Sequence, residues 1–187
     1  MKFGLRPFLL LAAGLFACRG AAAPSSPPSL YDLGRTWTTD HGLPFQFEAL
    51  RGHPTFLAMF FTRCGSVCPA TVAQLKRIEA ALPPDTWTKV RFVLVSFDSE
   101  GDTPAVLSAY REAMGLKGEH WILLHGDAES VRELSATLGI AYSQRAPGQF
   151  IHSGLVTLLD STGVASQQWP SLEGVLQSAA QSAGKVR

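Results

Sequence analysis

The sequence predicts an α/β sandwich built on a mixed central sheet, and three observations carry that prediction. Nearly continuous apolar runs at residues 55–61, 90–97 and 121–125 have the composition of strands covered on both faces. Each is followed by an amphipathic run at helical spacing, residues 69–82, 102–114 and 127–138. A hairpin-like pair of runs, 155–160 and 164–169, then closes on Asp160-Ser161-Thr162-Gly163 before a last amphipathic run at 171–183. A length of 187 residues supports one domain with a proper core and is too short for two comfortable ones.

Taken in order, residues 31–49 alternate around Trp37-Thr38-Thr39 and Phe45-Gln46-Phe47, which predicts the short strands of an N-terminal ribbon turning at Asp40-His41-Gly42. Residues 50–53 turn into the first central strand. The helix after it is predicted to start at Pro69, whose missing N–H suits a first helical position; Val72, Leu75, Ile78, Ala81 and Leu82 line one side and Pro83-Pro84 stops it. The second central strand ends at Asp98-Ser99, and Asp102-Thr103-Pro104 opens the second helix, with Gly115 near its end. Gly139 caps the third helix, residues 143–149 read as a polar loop, and Phe150-Ile151-His152-Ser153 leads into the C-terminal hairpin. Parallel crossovers followed by an antiparallel hairpin and a helix describe a thioredoxin-like sandwich.

A formal net charge of +1 and the lack of a long basic run argue against a nucleic-acid partner, because phosphate neutralisation needs clustered Lys and Arg. The N-terminus combines Lys2 and Arg6 with an apolar run at 8–17, far short of the ~20 residues of a membrane span, and reads as an export signal. Leu15-Phe16-Ala17-Cys18 resembles a bacterial lipobox, making Cys18 the expected lipidated residue. The competing cut after Ala21 to Ala23 would leave Pro24 just beyond it, which disfavours the ordinary signal peptidase. The domain plan is therefore residues 1–18 as signal, a small, Pro-rich tether at 19–30, and a folded domain at 31–187, held at the membrane through the N-terminal anchor. The expected location is the bacterial periplasm or cell envelope.

The chemistry concentrates at Cys64 and Cys68, a C-x-x-x-C pair at a strand-to-helix junction. Cys68 is expected beside the helix N-terminus and Cys64 in the loop before it. The partial positive charge there favours thiolates, so the pair should be nucleophilic and able to bind soft metals. The plainer alternative is a structural disulfide or two inert thiols. Outside the cytoplasm such a pair oxidises unless a thiol reductant or a metal intervenes. His152 precedes a central strand in a loop that this fold can bring over the cysteines, and two thiolates with one imidazole suit copper.

FFTRCGSVCPATVAQL, VLVSFDSEGDTPAVLSAY and FIHSGLVTLLDSTG together resemble the Sco/SenC family of membrane-tethered copper proteins, over about residues 40–169. The resemblance implies a thioredoxin-like domain in which Cys64, Cys68 and His152 bind one copper ion. It also implies delivery of that copper to the Cu(A) site of a cytochrome c oxidase subunit or another cuproprotein, or reduction of the cysteines that will hold it. Asp98 matches the family's aspartate after the second strand, expected to orient the site from behind the ligands. Two departures stand out: Ile151 sits where relatives often carry an acidic residue, and Arg63 beside Cys64 is expected to favour a thiolate.

The alternative function is a thiol-disulfide oxidoreductase using Cys64 and Cys68, which has no strict need of His152. A peroxiredoxin-like peroxidase would need Thr62 and Arg63 packed at a thiolate, zinc could occupy the same three ligands, and C-x-x-C-H haem attachment is absent. His41, His53 and His120 read as solvated, and His125 as ending a strand near the sheet edge. Phe150 is expected in the core or as a wall over the copper site.

Overall fold

The computed structural model describes residues 28–65 and 67–169. The export signal, Cys18, most of the tether and the helix expected at 171–183 lie outside them. The ribbon strands β1 (Trp37–Thr39) and β2 (Pro44–Phe45) come first, then β3 (Thr55–Phe60), α1 (Val67–Ala81), β4 (Arg91–Ser96), α2 (Pro104–Met114), β5 (Trp121–His125) and α3 (Ala128–Thr137). The described residues end in two hairpins, β6 (Tyr142–Ala146) with β7 (Gln149–His152), and β8 (Val156–Leu159) with β9 (Ala165–Trp169). Seven strands form one sheet in the order β2-β1-β5-β4-β3-β8-β9. β3, β4 and β5 run parallel, β1 pairs antiparallel with β5, and β8 antiparallel with β3. This is the mixed sheet of a thioredoxin-like sandwich.

Burial explains the unbroken apolar runs. Every residue of β3 is buried, and so are five of the six in β4. Val72, Leu75 and Ile78 of α1, Leu107 of α2, and Val131 and Leu134 of α3 complete the core. Each such side chain removed from water contributes about 1.5–3 kcal/mol before chain entropy is charged against it. The helix ends follow their caps. Thr103 accepts from the Val106 N–H with Pro104 in the first turn, and Gly115 takes φ 61° to end α2. Asp127 accepts from the Ser130 N–H at 2.8 Å and its hydroxyl at 2.9 Å, and these bonds hold its carboxyl below the usual range.

Several elements differ from the sequence reading. α1 begins at Val67, two residues before Pro69, so Cys68 lies inside the first turn. Phe47 sits in a 3-10 helix, Phe47–Leu50, instead of a strand, because its ring packs edge-on to buried Trp37 at 5.5 Å. Leu30 and Tyr31 are buried in a 3-10 helix, Leu30–Leu33, so packing begins within the stretch read as tether. β5 is the third strand in from its edge, and His125 at its end lies beside the segment that leads into α2, with Nδ1 3.0 Å from the Asp102 carbonyl.

The largest departure concerns residues 143–149. They form most of a two-stranded sheet of their own, β6-β7, and His152 is the last residue of β7, with the short link 153–155 leading from it into β8. Pro147-Gly148 connects the strands, Gly148 at φ 68°. Proline followed by glycine at positive φ is the signature of a type II turn, and this was the missed signal. The strands themselves are mostly polar because the small sheet has one face on the core and one in water.

Gly126 shows how tightly the ribbon is packed. A Cβ there would collide with the ring of Trp37, which is 1% exposed. Gly126→Ala is expected to destabilise the domain by about 1–3 kcal/mol, the usual range for overpacking, measured by chemical denaturation.

Candidate metal centre

Three parallel strands ending at one edge of a sheet create a crevice beyond their carboxyl ends, and ligands bind in such crevices. β3 and β4 end here side by side, paired as Phe60 with Ser96. The chain leaving β3 is tied down by buried Asp102, which is 1% exposed. One oxygen of its carboxylate accepts from the Thr62 backbone N–H at 2.9 Å and the other from the Thr62 hydroxyl at 2.5 Å. Ser96 at the end of β4 also donates to it. The sequence reading credited Asp102 only with opening α2. Its clue is that Thr103, the next residue, already supplies the helix cap, which leaves the aspartate free for another task.

Beyond this anchor stand Cys64, half-buried in the loop, and Cys68, 1% exposed in the first turn of α1. The Cys68 N–H donates to Cys64 Sγ at 3.4 Å, and Cys68 Sγ lies 3.6 Å from His152 Nε2. One ligand atom from each of Cys64, Cys68 and His152 lies within 4.8 Å of the others. Among the described residues, these form a group of soft and borderline donors compact enough to enclose a single metal ion.

His152 reaches this position through an aromatic wall. Its ring lies 4.9 Å from Phe97 and 6.0 Å from Phe61, centroid to centroid. Phe150 packs on Phe61 at 5.3 Å, and Tyr142 stacks on Phe97 at 4.8 Å. Burial in this apolar setting lowers the His152 pKa, so the ring is neutral at pH 7. Its Nδ1 lies 3.3 Å from the Ser153 carbonyl, to which an Nδ1–H can donate. That tautomer leaves the Nε2 lone pair facing Cys68, as a metal ligand requires.

The expected thiolate bias at Cys68 is overturned. Burial pushes its thiol up to about 12, outweighing the helix terminus, because desolvation acts on the whole charge whereas the dipole supplies a fraction of one. Any metal taken up at this residue would have to displace a proton. Nor does Arg63 serve a thiolate: its guanidinium pairs with Asp98, which also accepts from the Gly101 N–H at 2.8 Å. Asp98 thus faces Arg63. With Thr62 and Arg63 both engaged by carboxylates, the arrangement lacks the threonine and arginine that a peroxidase would aim at its cysteine.

The remaining histidines divide. His41 is exposed, and His53 lies at the surface with Nδ1 2.9 Å from the Lys89 carbonyl. His120, expected in solvent, is instead mostly buried, its Nε2 2.5 Å from Glu79 Oε1, which also accepts from Trp121 Nε1 at 2.9 Å. It lies away from the cysteines, near the far end of α1.

The SCO1/SenC family model matches residues 31–186. The chain belongs to this family. Among relatives, a Stutzerimonas stutzeri protein provisionally named as copper-binding is 31% identical over 124 residues, 64% of this chain and 59% of its own length. This SCO1/SenC chain spans 59% to 62% of the length of the curated relatives it matches. Its fold is that of copper-bound ScoI from Bradyrhizobium japonicum, at a TM-score of 0.69 and 22% identity, covering 81% of this chain and 96% of that one. A SCO1/SenC family lipoprotein from Bacillus anthracis superposes equally well, at a TM-score of 0.69 and 23% identity, over 79% and 91% of the two chains.

Two expectations follow from burial. At pH 8, iodoacetamide should modify half-buried Cys64 roughly tenfold faster than Cys68 in the reduced, metal-free protein, read by peptide mass spectrometry. The lowered pKa of His152 means that the unfolded chain binds a proton more readily than the folded one. The stabilising contribution is present above pH ~6.5 and is lost as pH falls through the folded value. Denaturation midpoints of the metal-free protein should therefore decline on acidification below pH ~6.5, and His152→Gln should flatten that decline.

Proposed function

We propose that this chain is an envelope copper carrier that binds one copper ion through Cys64, Cys68 and His152 and hands it to a cuproprotein. The single observation that carries the reading is the convergence of the two sulfurs and the imidazole nitrogen within 4.8 Å. Two thiolates and a neutral imidazole are a good donor set for Cu(I), and the same atoms accept Cu(II). Membership in the SCO1/SenC family and the copper-bound Bradyrhizobium relative support copper over zinc.

Each residue has a defined part. Cys64, at the solvent side, makes first contact with an incoming or departing ion; Cys68, deeper, supplies the second sulfur after losing its proton; His152 closes the site through Nε2. Release proceeds by ligand exchange, with a partner's cysteines replacing Cys64 first because it is the more accessible sulfur. The recipient we favour is the cytochrome c oxidase subunit that carries the Cu(A) site. We further propose that residues 1–18 direct export and that Cys18 is lipidated, with Asp98 acting on the site from behind its ligands. The Bacillus anthracis lipoprotein supports the envelope location, and among the described residues no helix is long and apolar enough to cross a membrane.

The difference in exposure between the cysteines also favours a second activity, thiol-disulfide exchange. In it Cys64 attacks a partner disulfide, forming a mixed disulfide and releasing one partner thiolate. Cys68 then gives up its proton and displaces the second, leaving a Cys64–Cys68 disulfide and a reduced partner, with an external thiol needed to restore the pair. Anaerobic Cu(I) titration of the reduced full chain in a Cys18→Ser background separates the two. A one-to-one complex that is lost or weakened at least tenfold in His152→Ala establishes the carrier; equal binding in both proteins, or none in either, sinks it and leaves exchange as the activity.

A further inference from the structure

Among the described residues, the hairpin that carries His152 shares no ladder with the seven-stranded sheet, so its place over the cysteines depends on side-chain packing and on the short links at its two ends. The aromatic wall grips the His152 end. At the other end, the Pro147-Gly148 turn, the grip comes from the residue just before Cys64.

Arg63 leaves the cysteine loop and pairs with Asp98, whose side chain is 3% exposed. The same guanidinium fills the space that a side chain at Gly148, or at Gly101 in the β4–α2 loop, would need. Gly148 holds φ 68°, a conformation natural to glycine, and its bare Cα lets the flat guanidinium lie directly against the turn. One cation thus touches three segments: the cysteine loop, the loop after β4, and the tip of the His152 hairpin. A planar, delocalised charge can be fixed on its edge by a carboxylate while packing against backbone on its face; the compact ammonium of lysine cannot do both.

We infer that Arg63 is a positioning residue that latches the His152 hairpin to the cysteine loop through Asp98 and Gly148, keeping Nε2 beside Cys68. The inference rests on the copper reading for its purpose, but the latch itself belongs to the metal-free fold. It also gives Asp98 a route to the site: the carboxylate holds the guanidinium, and the guanidinium holds the hairpin. Because Arg63 is half-exposed, its effect comes from geometry more than from the strength of the ion pair.

The test uses the full chain with Cys18→Ser, comparing wild type, Arg63→Met, Arg63→Lys and His152→Ala. In the metal-free protein, hydrogen exchange at amides 142–152 should be roughly tenfold faster in Arg63→Met, with exchange in Thr55–Phe60 and Arg91–Ser96 unchanged and Arg63→Lys intermediate. Unchanged hairpin protection in Arg63→Met overturns the latch, and so does a uniform loss of protection across the chain. With Cu(II) added, Arg63→Met should bind about tenfold more weakly and show reduced nitrogen coupling from His152 in its electron paramagnetic resonance spectrum. Wild-type affinity and coupling in that variant would overturn the positioning role. A wild-type protein that binds no copper would instead sink the copper reading, while the exchange data decide the latch independently.

Discussion

The buried carboxylate of Asp102 is the interaction on which the site depends. Strands β3 and β4 end side by side, and the chain leaving β3 must turn at once into α1, exposing backbone groups that the sheet no longer satisfies. Asp102 takes the Thr62 N–H, the Thr62 hydroxyl and the Ser96 hydroxyl together, binding the end of both strands to the start of α2. A buried carboxylate with three donors repays its desolvation only when all three are in place, so the loop has one arrangement. Cys64 and Cys68 inherit their positions from it.

Against that rigid base the third candidate ligand is mounted differently. His152 sits on a separate two-stranded element whose attachment is aromatic at one end and cationic at the other. Cys68 is buried in the core with Cys64 half-buried beside it, whereas the histidine belongs to an element outside the seven-stranded ladder. Such a division suits a carrier, in which two ligands must be preformed to capture the ion while the third must be able to yield when the ion leaves. It also separates two kinds of burial: Cys68 is held protonated by the core, and His152 is held neutral by its aromatic neighbours. Both effects spare the metal-free site a buried charge.

The central strands, the three helices and the final described hairpin were legible because each carries its own signal, an apolar run, a helical period or a turn sequence. The β6-β7 hairpin was not, because half-exposed strands on an isolated two-stranded sheet are polar, and only Pro147-Gly148 announces them. Phe47 differs for a related reason: alternation places it in a strand, but the ladder ends at Phe45, the partner of Trp37, and edge-on packing against the Trp37 ring holds Phe47 in a 3-10 turn. His120 looked like a loop residue and is one, yet Glu79 and Trp121 enclose it, which no local pattern could reveal.

What the sequence by itself determined is the identity of the candidate donors and the order of the elements that present them, because strand and helix periodicity and the C-x-x-x-C spacing are local properties. What only the tertiary structure decided is how charge is distributed around those donors. The helix terminus and Arg63 both promised a thiolate. Burial keeps Cys68 protonated, and Arg63 is drawn to Asp98, 35 residues away in the chain and adjacent in space. Desolvation and ion pairing depend on what surrounds a group in three dimensions, and those surroundings come from segments that the sequence keeps far apart.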